Sequence, residues 1–154
     1  MDRFVIDIQQ ASQFVSQPTD QQLASWAKKL LELNQLEQAE LSIRIIDEKE
    51  MQALNFEYRK KHKATNVLSF PAHMPEGFAL PVPLLGDIVI CAPVIAAEAK
   101  AQEKTLEAHW VHMLLHGILH LLGFDHQTDE QAEIMEKKEV EILSQLGFSD
   151  PYKD

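Results

Sequence analysis

Apolar residues recur along this chain with two different periods, and the alternation of those periods predicts its elements. Phe4-Val5-Ile6-Asp7-Ile8 is short and β-branched, as a strand would be. From Glu40 to Ile46 the apolar positions Leu41, Ile43 and Ile45 alternate with polar ones, predicting a second strand. Thr65 to Phe70, ended by Pro71, reads as a third strand, and Leu85 to Cys91 as a fourth. The fourth is continuously apolar around Gly86 and Asp87, which marks it as central. Between these strands the period changes to that of a helix. Leu23, Trp26, Ala27, Leu30, Leu31 and Leu33 form one stripe of a helix starting at Thr19 or Asp20 and running to about Leu36. Asp47 followed by Glu50 resembles a capping box and opens a helix to about Arg59, with Met51, Leu54 and Tyr58 turned inward. Pro93 starts an alanine-rich helix to about Ala101, and Thr105 caps a fourth helix reaching about Leu122. Thr128 or Asp129 starts the last helix, with Ile134, Met135, Val140, Ile142 and Leu143 inward and an end near Gly147. Ala72 to Pro83, with three prolines and little periodicity, is expected to be a loop.

The order β-α-β-α-β-β-α-α-α predicts one α+β domain over residues 1–154. A four-stranded mixed sheet would pack with about five helices, the fourth buried at the centre. Composition agrees with this: 45% hydrophobic and 25% charged residues are ordinary for a globular domain. The N-terminus MDRFVIDIQ has no signal-peptide pattern, and no stretch approaches the roughly 20 apolar residues of a membrane span, so a cytoplasmic protein is expected. The lone Cys91 lies in the apolar run IVICAPV and is expected to be a buried, reduced thiol.

Charge alters the picture through its distribution. The net charge of −10 opposes nucleic-acid binding by the molecule as a whole. Yet Arg59, Lys60, Lys61 and Lys63 fall within five residues, beside His62. The acids gather elsewhere, at Asp129, Glu130, Glu133, Glu136, Glu139 and Glu141. Such a polarised surface can offer one basic face to an anion.

The chemistry concentrates in HGILHLLGFDH, His116 to His126. His116 and His120 are four apart, so a helix sets both imidazoles on one face about 5.4 Å apart. Gly123 can end that helix in the left-handed conformation, letting the chain reverse and bring back His126. Three imidazoles with a fourth position open describe a catalytic zinc site, one ion per chain. The spacing is that of the metzincin proteases, except that their general-base Glu is replaced by Gly117. His112, His116 and His120 also form a stripe, about 12 Å long at 1.5 Å per residue. One zinc with bonds of roughly 2 Å cannot reach both ends, and only the 116/120 pair adjoins the Gly123 turn. His109 and His112 are therefore expected to pack, or to hydrogen-bond outside the ligand set.

With these residues in view, the chain resembles the YbeY family of bacterial endoribonucleases. HGILHLLGFDH matches the family signature H-G-x-L-H-L-x-G-x-D-H at every fixed position. NFEYRKKHKATNVLSF, Asn55 to Phe70, resembles a second family block, with Arg59 at its arginine, and LLGDIVI, Leu84 to Ile90, a third. The similarity spans Leu54 to His126. It implies a zinc-dependent hydrolase of single-stranded RNA that matures the 3′ end of small-subunit ribosomal RNA and takes part in ribosome quality control. It also implies partnership with the ribosome or its proteins, with neither membrane nor DNA. It places the zinc ligands at His116, His120 and His126 and the functional arginine at Arg59.

On that reading, zinc-activated water or a ribose 2′-OH attacks a phosphodiester, and Arg59 grips a non-bridging oxygen. Lys61 and Lys63 add screened attraction. Asp125 could orient an imidazole or cap the turn. Asp87 could face the site, although a buried structural hydrogen bond suits an apolar strand better. No general base is assigned. Two other functions compete: a metallopeptidase, weakened by Gly117, and a ribosome-associated assembly factor whose zinc is mainly structural.

Overall fold

The computed structural model of the chain describes residues 3–72 and 82–153. Its strands are β1 (Phe4–Gln10), β2 (Ala39–Ile46), β3 (Val67–Pro71) and β4 (Leu84–Cys91). Its helices are α1 (Asp20–Leu33), α2 (Glu48–Arg59), α3 (Ala92–Ala101), α4 (Leu106–Leu121) and α5 (Asp129–Gln145). The sheet order is β1-β2-β4-β3, with the first two pairings parallel and β3 antiparallel to β4. This is the expected α+β architecture, a four-stranded mixed sheet with five helices. The loop expected between Ala72 and Pro83 lies mostly outside the described residues.

Strand alternation divides the core in two. Leu41, Ile43, Ile45, Ile88 and Ile90 face α1 and α4, forming the main cluster with Leu30, Trp110, Leu114 and Ile118. Val89, Cys91 and Leu68 face the other way, against Met51 of α2. Cys91 is a free, buried thiol, and burial pushes its pKa up to about 11.

Several boundaries differ from expectation for local reasons. Helix α1 stops at Leu33 because Gln35 takes the left-handed conformation (φ 66°). Gln35 N–H donates to Glu32 O at 3.0 Å and Leu36 N–H to Leu31 O at 3.3 Å, a Schellman closure built without glycine. The start of α1 follows expectation, since Thr19 and Gln22 form a reciprocal capping box. The capping box expected at Asp47 does not form. The Asp47 carboxylate instead accepts from the Ser12 hydroxyl and from Gln13 N–H at 2.9 Å, while Glu50 pairs with Arg44. Tyr58 and Ile134, expected inward, are 59% and 53% exposed. Asp87 does not make a buried bond: it is exposed on β4 and accepts from the Ser42 hydroxyl.

Strand β3 extends through Pro71, which pairs with Gly86 where β4 is irregular. The approach is so close that a Cβ on Gly86 would stand 2.2 Å from Phe70 O, and its φ is +141°. Gly86→Ala is therefore expected to lower stability by about 3 kcal/mol, combining backbone strain with overpacking. Chemical denaturation measures this, and an unchanged midpoint would show that β3 can move away at little cost.

Candidate metal centre and nucleic-acid cleft

Helix α4 starts with Thr105 accepting from Ala108 N–H at 3.1 Å and runs through the main core, so most of its residues are buried. His116 and His120, one turn apart, emerge near its C-terminal end and are half-buried. Gly123 (φ +103°) then terminates the helix in a Schellman motif. Gly123 N–H donates to His120 O at 3.1 Å and Phe124 N–H to Leu119 O at 3.0 Å. Asp125 Oδ1 accepts from His126 N–H at 2.8 Å, so this carboxylate shapes the turn. The reversal returns the exposed His126 to the other two imidazoles.

One ring nitrogen from each of His116, His120 and His126 lies within 4.8 Å of the others. The Nε2 atoms of His116 and His120 are 3.2 Å apart. A tetrahedral ion with bonds of roughly 2.0–2.1 Å holds two nitrogens about 3.3 Å apart, so the His116–His120 pair has the spacing of metal ligands and the three-histidine group could hold a metal ion. The electrostatics favour the ligating form as well. Burial, reinforced by the neighbouring His116 and His126, lowers the His120 pKa and disfavours its protonation. His126 keeps one side of the cluster open to solvent.

The histidines line a cleft of about 700 Å³ together with Thr65 and Asn66 and with Val67, Leu68, Ser69 and Pro71 of β3. Arg59, at the end of α2, lines the same cleft, as does Asp125. Lys60 adopts a left-handed conformation after α2, and the buried Asn55 donates through Nδ2 to Lys63 O at 2.7 Å. That bond braces the basic turn from inside. Lys61 and Lys63 are exposed on it, outside the residues lining the cleft.

A model of the "Endoribonuclease YbeY" family matches residues 6–147. The chain belongs to that family. A protein of Cellvibrio japonicus named Endoribonuclease YbeY is 47% identical over all 154 residues of this chain, which cover 86% of the relative. The solution structure of TM1509 from Thermotoga maritima matches with a TM-score of 0.56 at 25% identity, covering 97% of this chain and all of the other.

In this member of the YbeY family, Gly117 has a steric role. A Cβ there would lie 2.9 Å from Ile88 Cγ2 and 3.3 Å from Ser69 Oγ, and Ser69 Oγ donates to Gly117 O at 3.1 Å. The missing side chain lets α4 sit directly on the sheet, and the protease-type Glu has no room there. The competing metallopeptidase reading loses its base for a packing reason.

His109 and His112 are both buried and hydrogen-bonded. His109 Nε2 lies 2.9 Å from Glu98 Oε1, and His112 Nε2 lies 3.1 Å from Glu139 Oε2. Glu139 is the residue the sequence reading missed. It is fully buried, and the same Oε2 stands 3.0 Å from His116 Nδ1. The Tyr152 hydroxyl donates to its other oxygen. Burial pushes the Glu139 carboxyl up, but the bonds from His112, His116 and Tyr152 outweigh it and hold the pKa at about 2. A signal was present: Glu139 is four residues from Met135 and three from Ile142, on the buried stripe of α5. An acid on an apolar stripe calls for a partner.

Proposed function

We propose that this chain is a zinc-dependent endoribonuclease that cuts single-stranded RNA. In this reading it matures the 3′ end of small-subunit ribosomal RNA and takes part in ribosome quality control, working in the cytoplasm with the ribosome or its proteins. Residues 1–154 act as one metallohydrolase domain. The observation that carries the reading is the convergence of three imidazoles in a cleft shared with Arg59.

His116, His120 and His126 are the proposed zinc ligands. Bound there, zinc supplies Lewis acidity and brings water activation near neutral pH. The chain's own residues supply the rest. Arg59 presents a planar, permanently charged fork that holds a phosphate oxygen and offsets charge developing on it. The basic turn draws the backbone in against the −10 charge of the whole. Next to it Tyr58 is 59% and Phe56 45% exposed, the latter stacked with His62 at 4.3 Å. These are aromatic surfaces on which unpaired bases can stack and paired bases cannot. Among the described residues no helix is long and apolar enough to cross a membrane.

The direct test incubates zinc-quantified protein with single-stranded RNA, duplex RNA and casein. Cutting of the single strand alone is expected, whereas zinc-loaded protein that leaves all three intact would favour the assembly-factor reading. A second expectation concerns salt. Lys61→Ala and Lys63→Ala should each flatten the dependence of log affinity on log salt by about 0.7. Equal slopes in wild type and both variants, in binding titrations from low to high salt, would remove the turn from the RNA path.

A further inference from the structure

Beyond the ligands, the site contains a buried carboxylate whose position is hard to explain by stability alone. Glu139 is completely inaccessible, and among the described residues its hydrogen-bond partners are two imidazoles and a phenol, with Lys104 acting on it only through longer-range attraction. Burying an anion this way is expensive, and replacing such a group with an apolar one commonly stabilises a fold. What the arrangement does achieve is orientation. The Glu139 oxygen at His116 Nδ1 can only accept, so His116 carries its proton on Nδ1. Its Nε2 lone pair is thereby left on the side of His120 Nε2, 3.2 Å away, where the three histidines converge.

The carboxylate is itself held. Tyr152, 13 residues further along and beyond the end of α5, donates its hydroxyl to Oε1 and sits 3.3 Å from His112 Nε2. With His112 Nε2–H also directed at Oε2, both oxygens are engaged and the carboxylate plane is fixed. His112 Nδ1 is buried without a hydrogen-bond partner, consistent with the proton residing on Nε2, because an orphaned N–H costs more than an orphaned lone pair. Tyr152 lines a cavity of about 380 Å³ together with Lys104, His109, His112 and His116. Tyr152 is itself 47% exposed, so its ring stands between this network and solvent; the cavity shares Asn66 and His116 with the substrate cleft, which Tyr152 does not line.

We propose that Glu139 and Tyr152 are positioning residues for the metal centre. Glu139 sets the tautomer and rotation of His116, and Tyr152, carried by the C-terminal segment, locks Glu139 in place and closes the network against water. Neither touches the cleft that Arg59 lines. The inference rests on reading the three histidines as metal ligands. It adds that the last residues of the chain control how tightly the metal is held.

The test needs no turnover. In metal-free, ¹⁵N-labelled protein, long-range ¹H–¹⁵N correlation reads which His116 nitrogen is protonated. Competition with a chromophoric chelator gives the zinc affinity, and the visible spectrum of the cobalt-substituted protein reports the coordination. Wild type should show His116 protonated at Nδ1. Glu139→Gln, which preserves volume but removes the charge, should mix the tautomers and weaken zinc binding roughly 10- to 100-fold. Tyr152→Phe should weaken it by less, about tenfold at most on the same scale, with a small drop in the melting temperature of the metal-free protein because a buried carboxylate oxygen loses its donor. A His116 proton on Nε2 in wild type, or wild-type zinc affinity in both variants, would overturn the proposal. Should Glu139→Gln fail to fold, Tyr152→Phe decides alone, and unchanged affinity and cobalt spectrum would end it. A wild type that shows the Nδ1 proton yet binds no zinc would sink the metal reading while leaving the His116–Glu139 orientation standing.

Discussion

Replacing any one of the three cluster histidines by alanine is expected to reduce RNA cleavage by at least about 10³-fold, the loss that follows removal of a single strong electrostatic contact at the reacting phosphate, or more. The three substitutions are not equivalent structurally, and the difference makes the test sharper. His116→Ala also deprives the buried Glu139 of one of its donors, so part of its effect would be a destabilised fold. His120 contacts His116 and His126 but not Glu139, and His126 is exposed on the turn after Gly123. His126→Ala should therefore abolish activity with the least change in melting temperature, and His116→Ala with the greatest. Chelation of wild type should mimic His126→Ala and be reversed by added zinc. Cleavage that survives in all three variants and in chelated wild type would have to come from a contaminant.

How much of this was legible in the chain depends on whether the relevant physics is local. The cluster was legible because each step is a short-range rule: i,i+4 spacing, a glycine that ends a helix, a three-residue return. The sheet was legible for the same reason, since period-2 and continuous apolar runs both mark strands, although the alternating β2 lies inside the sheet beside the continuous β4. Glu139 was not legible as a partner of His116. The two lie 23 positions apart, and only the packing of α5 on α4 brings them together. Counting it among the surface acids followed from its neighbours in sequence, while the buried stripe through Met135 and Ile142 argued the opposite. The end of α1 failed differently. Gln35 adopts a conformation usually left to glycine, because packing of Leu36 repays the strain, and no residue type announces it. Asp47 fits the pattern of a cap, yet Ser12 and Gln13, some 35 residues away, claim its carboxylate.

The same distinction between local charge and placed geometry governs Arg59. Arg59→Glu is expected to lower kcat by about 10³-fold and Arg59→Lys by about 10²-fold, with melting temperatures close to wild type because the side chain is exposed at a helix end. Lysine keeps the charge but not the fork, so the gap between Arg59→Lys and wild type measures bidentate positioning as opposed to attraction. Lys61 and Lys63 provide the internal control. They share the basic turn but do not line the cleft, so their removal should act on KM and fade as salt rises. The Arg59 defect should persist at saturating RNA and at high salt, because a contact made in the transition state is not recovered by filling the site with substrate. If Arg59→Glu instead behaved like the lysine variants, with kcat intact and a defect confined to low salt, Arg59 would belong to the attracting surface and the cleft would lack its phosphate clamp. The three imidazoles would then be the cleft's only assigned contribution to chemistry, and the search for a second group would turn to Thr65, Asn66 and Ser69, which line the same cleft.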